Sequence, residues 1–462
     1  MSNAIRSGIA TTRIDRRKVL QHSAAGLAIP ALAAAGRPAG GAAHSALDNV
    51  PGSIGIGETT SATSGGGLSQ ARLDRMHEAM ARHVESGRLP GLVMLISRRG
   101  EVHADAIGVK TFDGDEEMRR DTIFRIASVT KPIVAAAAMI LVEECVLRLD
   151  DPVDELLPEL ADRQVLRAID GPLDDTVAAK RPITVRDLLT FRAGYGAIFT
   201  PSPLQEAMTE AGIALGPFLP AISPDEYMKR LGTLPQAHQP GERWLYSSGS
   251  DILGVLIARA TGMSLGEFLQ ERIFAPLGMK DTGFSVPADK LDRLPTAYWT
   301  NFETGEFGVF DDVENSRWSS APAFESGATG LVSTVDDLLA FGQMMLANGK
   351  YGSARLLSRP SIAVMTTDQI TAEQKATSAA EFFPGFWDTY GWGFGVAIDS
   401  RRDDLATPGR YGWDGGYGTS WSVDPQEELI GILLTQRVWD EPIVPPMALR
   451  DFWTSVYQAI DD

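Results

Sequence analysis

The spacing of apolar residues predicts a succession of helices and strands along the chain. Residues 68–87 repeat apolar side chains every three to four positions, which is typical of one face of an amphipathic helix. The next segment, "GLVMLISRRGEVHADAIG", predicts two strands that turn at Arg99 and Gly100. Residues 128–147 are almost entirely apolar, which predicts a helix buried on all sides.

The later part of the chain is helical first and then returns to strands. Helices joined by Pro- and Gly-rich loops are predicted for about 150–300, and residues 333–349 predict an amphipathic helix capped by Ser333 or Thr334. Three apolar runs, "WGFGVAID", "GTSWSVDP" and "LIGILLTQRV", predict strands, and a last helix follows them. Strands at both ends with helices between them predict an α+β fold, in which one sheet is built from both ends and a helical lobe is inserted.

The first 67 residues differ from the rest in composition. Residues 1–46 contain twin arginines, Arg16 and Arg17, followed by a weakly apolar, alanine-rich run and small residues, as in a twin-arginine signal peptide. We therefore expect an exported protein, periplasmic or secreted; a basic arm on a cytoplasmic protein is the alternative. The apolar run is too short for a membrane span. Residues 47–67 predict a flexible linker, so that 68–462 form one domain.

Charge and cysteine content narrow the classes of function. The chain has 462 residues and a formal net charge of −18, so nucleic acid and anionic membrane surfaces would repel it. Its one cysteine, Cys145, cannot form an intramolecular disulfide, and its apolar neighbours predict a buried structural thiol. Thiolate zinc sites are excluded by this count, and neither H-E-x-x-H nor H-x-x-E-H occurs. The sequence predicts neither a metal nor a cofactor, and it indicates no particular oligomeric state.

The segment "GMSLG" satisfies the G-x-S-x-G pattern of an esterase nucleophile elbow, with Ser264 at its centre. An elbow serine follows a strand and precedes its acid and its histidine, whereas residues 250–262 have helical spacing and the last histidine is His238. "SLGE" is also a capping box, in which Ser264 caps a helix and Glu267 reaches back. Ser264 is therefore predicted to be a helix cap. His238 is expected at most to line the entrance of the site.

Another serine, Ser128, opens the buried helix in "IASVTKP", and Lys131 follows it in S-x-x-K spacing. Three residues make almost one helical turn, so the amine and the hydroxyl share a face. A lysine desolvated at the mouth of an apolar helix has a lowered pKa and can take the serine proton, and the helix N-terminus favours the resulting oxyanion. The tetrapeptide alone is more often a helix cap beside a solvated lysine.

Two later motifs complete a more specific pattern. Tyr246 and Ser248 form Y-x-S in "RWLYSSGSDILG", and the triplet Trp413, Asp414 and Gly415 precedes a strand near the end of the chain. In this order, the motifs resemble those of the serine β-lactamase and penicillin-binding-protein superfamily, above all class C β-lactamases and the related family VIII carboxylesterases.

The resemblance covers about residues 70–455. It also includes "ITVRDLLTFRAGYG", "QPGERWLYSS", "FAPLGMKDTGF" and "GATGLVSTVDDLLAFGQMML". It implies a β-lactamase-like fold: an antiparallel sheet flanked by helices, plus an inserted all-helical lobe at roughly 150–300, with the active site between the two.

The resemblance also implies a role for each motif residue. Ser128 becomes the nucleophile, and Lys131 and Tyr246 become the proton-relay pair, with a tyrosine phenolate stabilised by the nearby ammonium. The N–H groups of Ser128 and Gly416 would form the oxyanion hole. The substrate-binding residues would be Ser248, Trp413, Asp414 and Gly415.

The third motif departs from the K-[TS]-G of β-lactamases, and the departure bears on the substrate. Trp413 replaces the cation that binds the carboxylate of a β-lactam or of a peptide C-terminus, whereas an indole suits the apolar part of an uncharged ester. The aromatic runs 382–395 and 298–310 either wall a hydrophobic pocket or belong to the core. W-x-G is a form seen in family VIII esterases.

We therefore expect a carboxylesterase that acts on small to medium uncharged esters through an acyl-enzyme. A β-lactamase, a D-amino-acid amidase or peptidase, and an acyltransferase are alternatives on the same scaffold. A non-catalytic binding domain is an alternative of a different class.

Overall fold

The computed structural model describes residues 65–216, 219–301, 304–378, 382–439 and 446–462. The predicted signal peptide, and residues 47–64 of the predicted linker, lie outside the described residues. The end of the linker belongs to the folded domain: the Gly66 N–H donates to the Glu101 carboxylate, and the Gly66 carbonyl accepts from the buried Arg98 guanidinium.

One antiparallel sheet organises the fold, and both ends of the chain contribute to it, as predicted. Its seven strands are β1 (Gly91–Arg98), β2 (Glu101–Gly108), β3 (Tyr390–Trp392), β4 (Ala397–Asp399), β5 (Tyr411–Gly415), β6 (Thr419–Asp424) and β7 (Leu429–Thr435). They lie in the order β3-β4-β5-β6-β7-β1-β2, and each neighbouring pair is antiparallel. The first strands to be made therefore pair with the last, and the helical segments lie between them in sequence.

The apolar run of β1 does not alternate with polar residues, because both faces of the strand are covered. Val93 and Leu95 pack into the large core that contains α2, whereas Leu92, Met94 and Ile96 pack against the two terminal helices. A strand covered on both faces needs apolar side chains at every position. The sheet is thus the middle layer of the domain.

The described residues contain thirteen α-helices. They are α1 (Gln70–Glu85), α2 (Thr130–Glu143), α3 (Val185–Leu189), α4 (Pro203–Glu210), α5 (Pro224–Gly232), α6 (Ser248–Thr261), α7 (Leu265–Leu269), α8 (Ala275–Leu277), α9 (Val335–Leu346), α10 (Arg359–Met365), α11 (Ala372–Thr377), α12 (Phe386–Thr389) and α13 (Met447–Gln458). The predicted cap of α9 is confirmed at Thr334, whose side chain accepts the Asp337 N–H. None of the described helices is by itself long and apolar enough to span a membrane; the bent pair Ser248–Thr261 and Leu265–Leu277 meets the length and composition criteria only when taken together.

The α2 helix is the centre of the core. It is buried from Thr130 to Leu141 and packs against α6, as its nearly all-apolar sequence predicts. Its alanines present small side chains, which allow neighbouring backbones to come close. This helix carries the first sequence motif into the interior of the domain.

The structure corrects the prediction for Cys145, which is exposed. The α2 helix ends at Glu143, and Cys145 has a left-handed backbone, with φ of 58°, in the turn that follows. The apolar face of the helix therefore no longer determines where this side chain lies.

The segment 150–300 is mainly helical but not entirely so. Gln164–Leu166 pairs with Thr176–Ala178 in a small antiparallel ribbon, and Ala297–Thr300 pairs with Phe307–Asp311 in another. Strands of three residues are too short to produce a recognisable alternation. The prediction of an all-helical lobe was wrong in this respect.

Candidate active site

Ser128 lies in a strained turn that leads into α2. Residues Ala127–Val129 form a single 3-10 turn, and α2 begins at Thr130. Ala127 has a left-handed backbone, with φ of 45°, which is uncommon for a residue that has a side chain and occurs often at functional sites. The Ser128 residue is buried, with 8% of its surface exposed.

Strands from the far end of the chain hold this turn. The Ile126 N–H donates to the Leu331 carbonyl at 3.0 Å, and the Ile126 carbonyl accepts from the Thr419 hydroxyl at 3.0 Å. A Cβ added to Gly415 would lie 2.4 Å from the Ile126 carbonyl oxygen and 3.3 Å from the Ala127 Cβ. Only glycine permits so close an approach. Gly415 therefore has a packing role against the serine turn, and its contact with substrate stays a prediction.

The structure brings the side chains of the first two motifs together: the S-x-x-K spacing predicts the meeting of Ser128 with Lys131, and the resemblance implies that Tyr246 joins them. The Lys131 Nζ lies 2.9 Å from the Ser128 Oγ and 2.8 Å from the Ala328 carbonyl oxygen. The Tyr246 hydroxyl lies 2.8 Å from the same Ser128 Oγ, and the Lys131 Nζ is 4.6 Å from the centre of the tyrosine ring. The serine oxygen is thus placed between an amine and a phenol.

Burial sets the protonation states of this pair. Burial lowers the pKa of the Lys131 amine to about 7, and the charge of Asp251 opposes part of that change. Burial raises the pKa of the Tyr246 hydroxyl, and its hydrogen bonds to Ser128 and Trp413 offset this only partly. The expected stabilisation of a tyrosine phenolate is therefore outweighed by desolvation. Near pH 7 the lysine amine is the proton acceptor of the pair, and the tyrosine is a proton donor.

Trp413 fixes the direction of the hydrogen bonds around Tyr246. Its indole Nε1 lies 2.8 Å from the Tyr246 hydroxyl oxygen, and an indole N–H can only donate. The tyrosine oxygen accepts this bond and gives its own hydrogen to the Ser128 Oγ. The Ser128 hydrogen is then free to point at the neutral Lys131 amine. The indole N–H is thus engaged with Tyr246, and a contact between the apolar face of Trp413 and substrate stays a prediction.

Asp414 and Ser248, two other predicted substrate contacts, are buried or engaged within the protein. Ser248 is 4% exposed, and a contact of its hydroxyl with substrate stays a prediction. The Asp414 carboxylate accepts from the Ser420 hydroxyl at 2.5 Å, and Trp453 donates to that same hydroxyl. Neighbouring residues of a strand point to opposite faces, so Asp414 faces α13 while the indole before it faces the serine. The Asp414 carboxylate is therefore not aimed at Ser128.

Gly416, the second predicted oxyanion donor, follows β5 directly. It is exposed, and a Cβ at this position would meet nothing within 4 Å. Its carbonyl accepts the Trp439 N–H at 2.9 Å. The residue is open to a ligand and adjoins Gly415, which touches the serine turn. Its role in the oxyanion hole stays a prediction.

A cluster of aromatic rings surrounds Tyr246 and Trp413. Phe382 lies 5.3 Å from the tyrosine ring and 6.1 Å from the indole, and the exposed Phe199 lies 6.3 Å from Phe382. Trp392 lies 4.8 Å from the indole on the buried side. The run 382–395 thus supplies both core and half-buried wall. We call Phe199, Phe382 and Trp413 the aromatic wall.

The other aromatic run packs elsewhere. Phe310 belongs to a separate core cluster, which contains Ala127, Trp318 and Tyr417, and the partly buried Trp299 packs against it. Phe307, in contrast, is 52% exposed, so the described part of the run is core only in part.

Two residues weighed in the sequence lie away from Ser128. Ser264 is the N-cap of α7, and its capping box with Glu267 is confirmed: the Ser264 Oγ accepts the Glu267 N–H, and the Glu267 carboxylate accepts the Ser264 N–H. His238 lines a different surface depression, together with Arg167 and Lys180.

Sequence reasoning missed Asp251 and the loop that holds Lys131. The Asp251 Oδ1 accepts from the Ser326 hydroxyl at 2.7 Å and from the Ala328 N–H at 3.1 Å. The available signal was an acidic residue in the first turn of the otherwise apolar α6, and such residues are common at helix N-termini for general electrostatic reasons. Its connection to Lys131 runs through residues far away in sequence.

Comparison with known proteins agrees with this geometry. A family model described as Beta-lactamase matches residues 76–450. Protein Rv1367c of Mycobacterium tuberculosis is 38% identical over 375 residues, which cover 79% of this chain and 90% of the relative. Esterase EstB of Burkholderia gladioli is 32% identical over 400 residues, which cover 82% and 94%. The solved structure of EstCE1, described as a hydrolase with promiscuous acyltransferase activity, has a TM-score of 0.70 at 27% identity and covers 84% of this chain and 99% of its own.

Proposed function

The chain belongs to the β-lactamase family, and from that premise we propose that this serine hydrolase is a carboxylesterase, which hydrolyses uncharged esters through an acyl-enzyme on Ser128. The observation that carries the proposal is the position of the Trp413 indole. It stands where a β-lactamase has a carboxylate-binding cation, and it donates to the Tyr246 hydroxyl. An uncharged ester has no carboxylate that would require the missing cation.

Acylation begins with the neutral Lys131 amine as base. It takes the hydroxyl proton of Ser128 while the Oγ forms a bond to the ester carbonyl carbon. The N–H groups of Ser128 and Gly416 stabilise the negative charge that moves to the carbonyl oxygen. When the tetrahedral intermediate collapses, the bond to the alcohol oxygen breaks and the Tyr246 hydroxyl protonates that oxygen. The lysine ammonium then restores the tyrosine proton, so the proton lost by serine leaves with the alcohol.

Deacylation repeats these steps with water as the nucleophile. Water attacks the carbonyl carbon of the acyl-enzyme and gives one proton to the pair Lys131 and Tyr246. The bond from the carbonyl carbon to the Ser128 Oγ breaks, and the pair returns the proton to the serine. One water is consumed and one carboxylic acid is released.

The aromatic wall supports an apolar substrate. Trp413, Phe382 and Phe199 form a series of rings that continues from the Tyr246 hydroxyl to an exposed side chain. Such a surface binds the hydrocarbon part of an acyl or alcohol group, while the ester carbonyl lies at Ser128. The net charge of −18 also disfavours anionic substrates.

Acyl transfer to an alcohol is the second candidate function. The similarity to EstCE1, a hydrolase with promiscuous acyltransferase activity, favours it over lactam or amide hydrolysis. The chemistry differs only in the second nucleophile, because an alcohol bound on the aromatic wall would replace water. A non-catalytic binding domain has no need for the hydrogen-bonded set of Ser128, Lys131 and Tyr246.

The test measures turnover of short p-nitrophenyl esters beside nitrocefin and D-alanyl peptides, and labels the full chain with a fluorophosphonate. We expect ester turnover, and labelling that is lost in Ser128→Ala and retained in Ser264→Ala. Fast nitrocefin hydrolysis with negligible ester turnover would replace the esterase by a β-lactamase. Absence of labelling in the wild type would favour the binding domain. Addition of a short alcohol, with product analysis, separates acyl transfer from hydrolysis.

We further propose that the protein is exported by the twin-arginine route. The motif around Arg16 and Arg17 supports this, and a route that carries folded proteins suits a chain with one cysteine. Fractionation of a bacterial host that has this route should place the shortened protein outside the cytoplasm. Replacement of both arginines by lysine should retain the protein in the cytoplasm. An equal distribution of the wild type and the lysine variant would contradict export by this route.

A further inference from the structure

Asp251 and Lys131 hold the same backbone residue from two sides. The Asp251 Oδ1 accepts the N–H of Ala328 at 3.1 Å, and the carbonyl of Ala328 accepts from the Lys131 Nζ at 2.8 Å. The same Oδ1 accepts the Ser326 hydroxyl at 2.7 Å, and that hydroxyl also accepts the Thr329 N–H at 3.1 Å. The short loop 326–329 is therefore fastened to α6 by one carboxylate.

We propose that Asp251 is a positioning residue for the Lys131 amine. By holding Ser326 and Ala328, its carboxylate fixes the carbonyl that orients the amine toward Ser128. The inference rests on the proposed function, because the position of the amine matters only if Ser128 is the nucleophile. Asp251 touches no reacting atom and acts through Ala328.

The same carboxylate acts on the charge of the amine. Lys131 is faced by the Ser128 hydroxyl, the Tyr246 ring and the Ala328 carbonyl, and Asp251 is the carboxylate whose charge acts on it. The pKa of the Asp251 carboxyl is raised overall, because burial is the largest effect, and the donors from Ser326 and Ala328 and the charge of Lys131 offset it only in part. Two hydrogen-bond donors on one oxygen favour the ionised form. An ionised Asp251 opposes the lowering of the lysine pKa by burial.

Two tyrosines complete the surroundings of this pair. Asp251 acts on Tyr227, which belongs to α5, and raises the pKa of its hydroxyl further after the larger effect of burial. Asp414 and Asp251 both act on Tyr246 in the same direction, again after burial. Removal of the Asp251 charge therefore makes both phenols easier to ionise, but neither phenol then titrates near pH 7. Loss of the Asp251 charge would therefore shift the titration of Lys131, which takes place near pH 7.

An acidic residue in the first turn of a helix also has a simpler explanation. A carboxylate there stabilises the helix through its macrodipole, and this requires no connection to Lys131. In that case, loss of the charge would lower stability and leave the pH dependence of catalysis in place. The two explanations therefore differ in a kinetic measurement.

The experiment compares the pH dependence of kcat/KM for a short p-nitrophenyl ester in the full-length wild type, Asp251→Asn and Asp251→Ala. Asparagine keeps an oxygen for Ser326 and Ala328 but carries no charge. We expect its acidic limb to move to lower pH by about half a unit or more, because the amine loses a carboxylate that favours the ammonium. Alanine removes the acceptor as well, and we expect kcat to fall about tenfold or more with little change in KM.

Asp337→Asn is the matched control. The Asp337 carboxylate accepts the Asp281 N–H and the Thr282 hydroxyl, both at 2.8 Å, and it belongs to α9 rather than to the site. We expect this change to affect stability and to leave the acidic limb in place.

An acidic limb that stays in place in Asp251→Asn, or a kcat in Asp251→Ala equal to that of the wild type, would overturn the positioning role. If the alanine variant does not fold, the asparagine profile decides. Fluorophosphonate labelling distinguishes this failure from that of the proposed function. Loss of labelling in Ser128→Ala with no shift in Asp251→Asn rejects only the role of Asp251, whereas an unlabelled wild type rejects the nucleophile itself.

Discussion

The indole N–H of Trp413 donates a 2.8 Å hydrogen bond to the hydroxyl of Tyr246, across 167 positions of the chain. The third sequence motif therefore acts directly on the second. A lysine at this position would offer a charge, whereas the indole offers one donor and a large apolar face. The bond orders the hydroxyl so that its hydrogen points at Ser128, while the ring remains part of the aromatic wall.

Replacement of the indole by a ring without a donor tests this relationship. In Trp413→Phe, Tyr246 loses its bond, worth about 0.5–1.5 kcal/mol, so we expect kcat/KM to fall about three- to tenfold. Steady-state kinetics with a short p-nitrophenyl ester measure it. Trp453→Phe is the control, since its indole donates to Ser420 behind the sheet. Equal losses in both variants would show that the bond to Tyr246 has no special role.

The pH dependence of kcat/KM should report the protonation state of the Lys131 amine. Burial lowers the pKa of Lys131 to about 7, and only the neutral amine accepts the serine proton. We therefore expect kcat/KM to rise with pH and to reach half of its maximum near pH 7. Stopped or continuous assays across pH 5 to 9, with buffers of constant ionic strength, measure the limb. Activity that is constant from pH 5 to 8 would contradict a lysine base.

The same buried amine reduces the stability of the fold. The pKa is about 7 in the folded protein and near the ordinary 10.5 in the unfolded chain. Between these values the unfolded chain binds more protons, so stability rises with pH over this range and the amine is destabilising at pH 7. We expect Lys131→Met to raise the free energy of unfolding by about 1 kcal/mol or more, while activity is lost. Thermal unfolding at pH 7 measures it, and a lower Tm would contradict the expectation.

Gly415 in β5 and Gly416 in the following turn should differ sharply in how well they tolerate replacement by alanine. Gly415→Ala places a Cβ 2.1 Å from the Thr419 Oγ1 and 2.4 Å from the Ile126 carbonyl oxygen, so we expect about 1–3 kcal/mol of destabilisation and loss of turnover. In Gly416→Ala the added Cβ meets nothing within 4 Å, so this variant should be as stable as the wild type. Urea unfolding of both variants measures the difference. Similar stability of the two would contradict the close approach of β5 to the serine turn.

Ser264→Ala tests the capping interpretation of the G-x-S-x-G pattern. The change removes the acceptor of the Glu267 N–H and should cost about 1 kcal/mol of stability. Turnover should stay near that of the wild type, because the Ser264 hydroxyl accepts the Glu267 N–H, whereas Lys131 and Tyr246 are bonded to Ser128. A folded but inactive Ser264→Ala protein would overturn the assignment of the nucleophile.

The parts of the site that were predictable depend on local spacing or on motif order. Ser128 and Lys131 meet because three residues of helix place them on one face, and this follows from the sequence alone. Tyr246 joins them across 118 positions, which only the resemblance indicates. The protonation states of Lys131 and Tyr246 were harder to predict from the sequence. Burial determines them, and the burial of Tyr246 depends on packing from several elements.

Two physical causes account for the departures from what the sequence predicts. Cys145 was expected to continue the apolar face of α2, but a left-handed residue ended the pattern. Asp414 stands in a motif position, yet its carboxylate accepts the Ser420 hydroxyl, so its contact with substrate stays a prediction. Asp251 was missed because its partners come from a distant loop. The Cys145 case is a local change of backbone, whereas the contacts of Asp414 and Asp251 join residues that no periodicity connects.

The contact between the Thr419 hydroxyl and the Ile126 carbonyl spans 293 positions and has a consequence for biosynthesis. The serine turn emerges early from the ribosome, but the strand that supports it is among the last segments to be made. The pairing is non-local, so it forms late in folding as well. A nascent or truncated chain thus carries its nucleophile without the support that shapes it. If the proposed function holds, turnover would be a direct readout of completed folding, because the serine turn takes its shape only when the sheet closes.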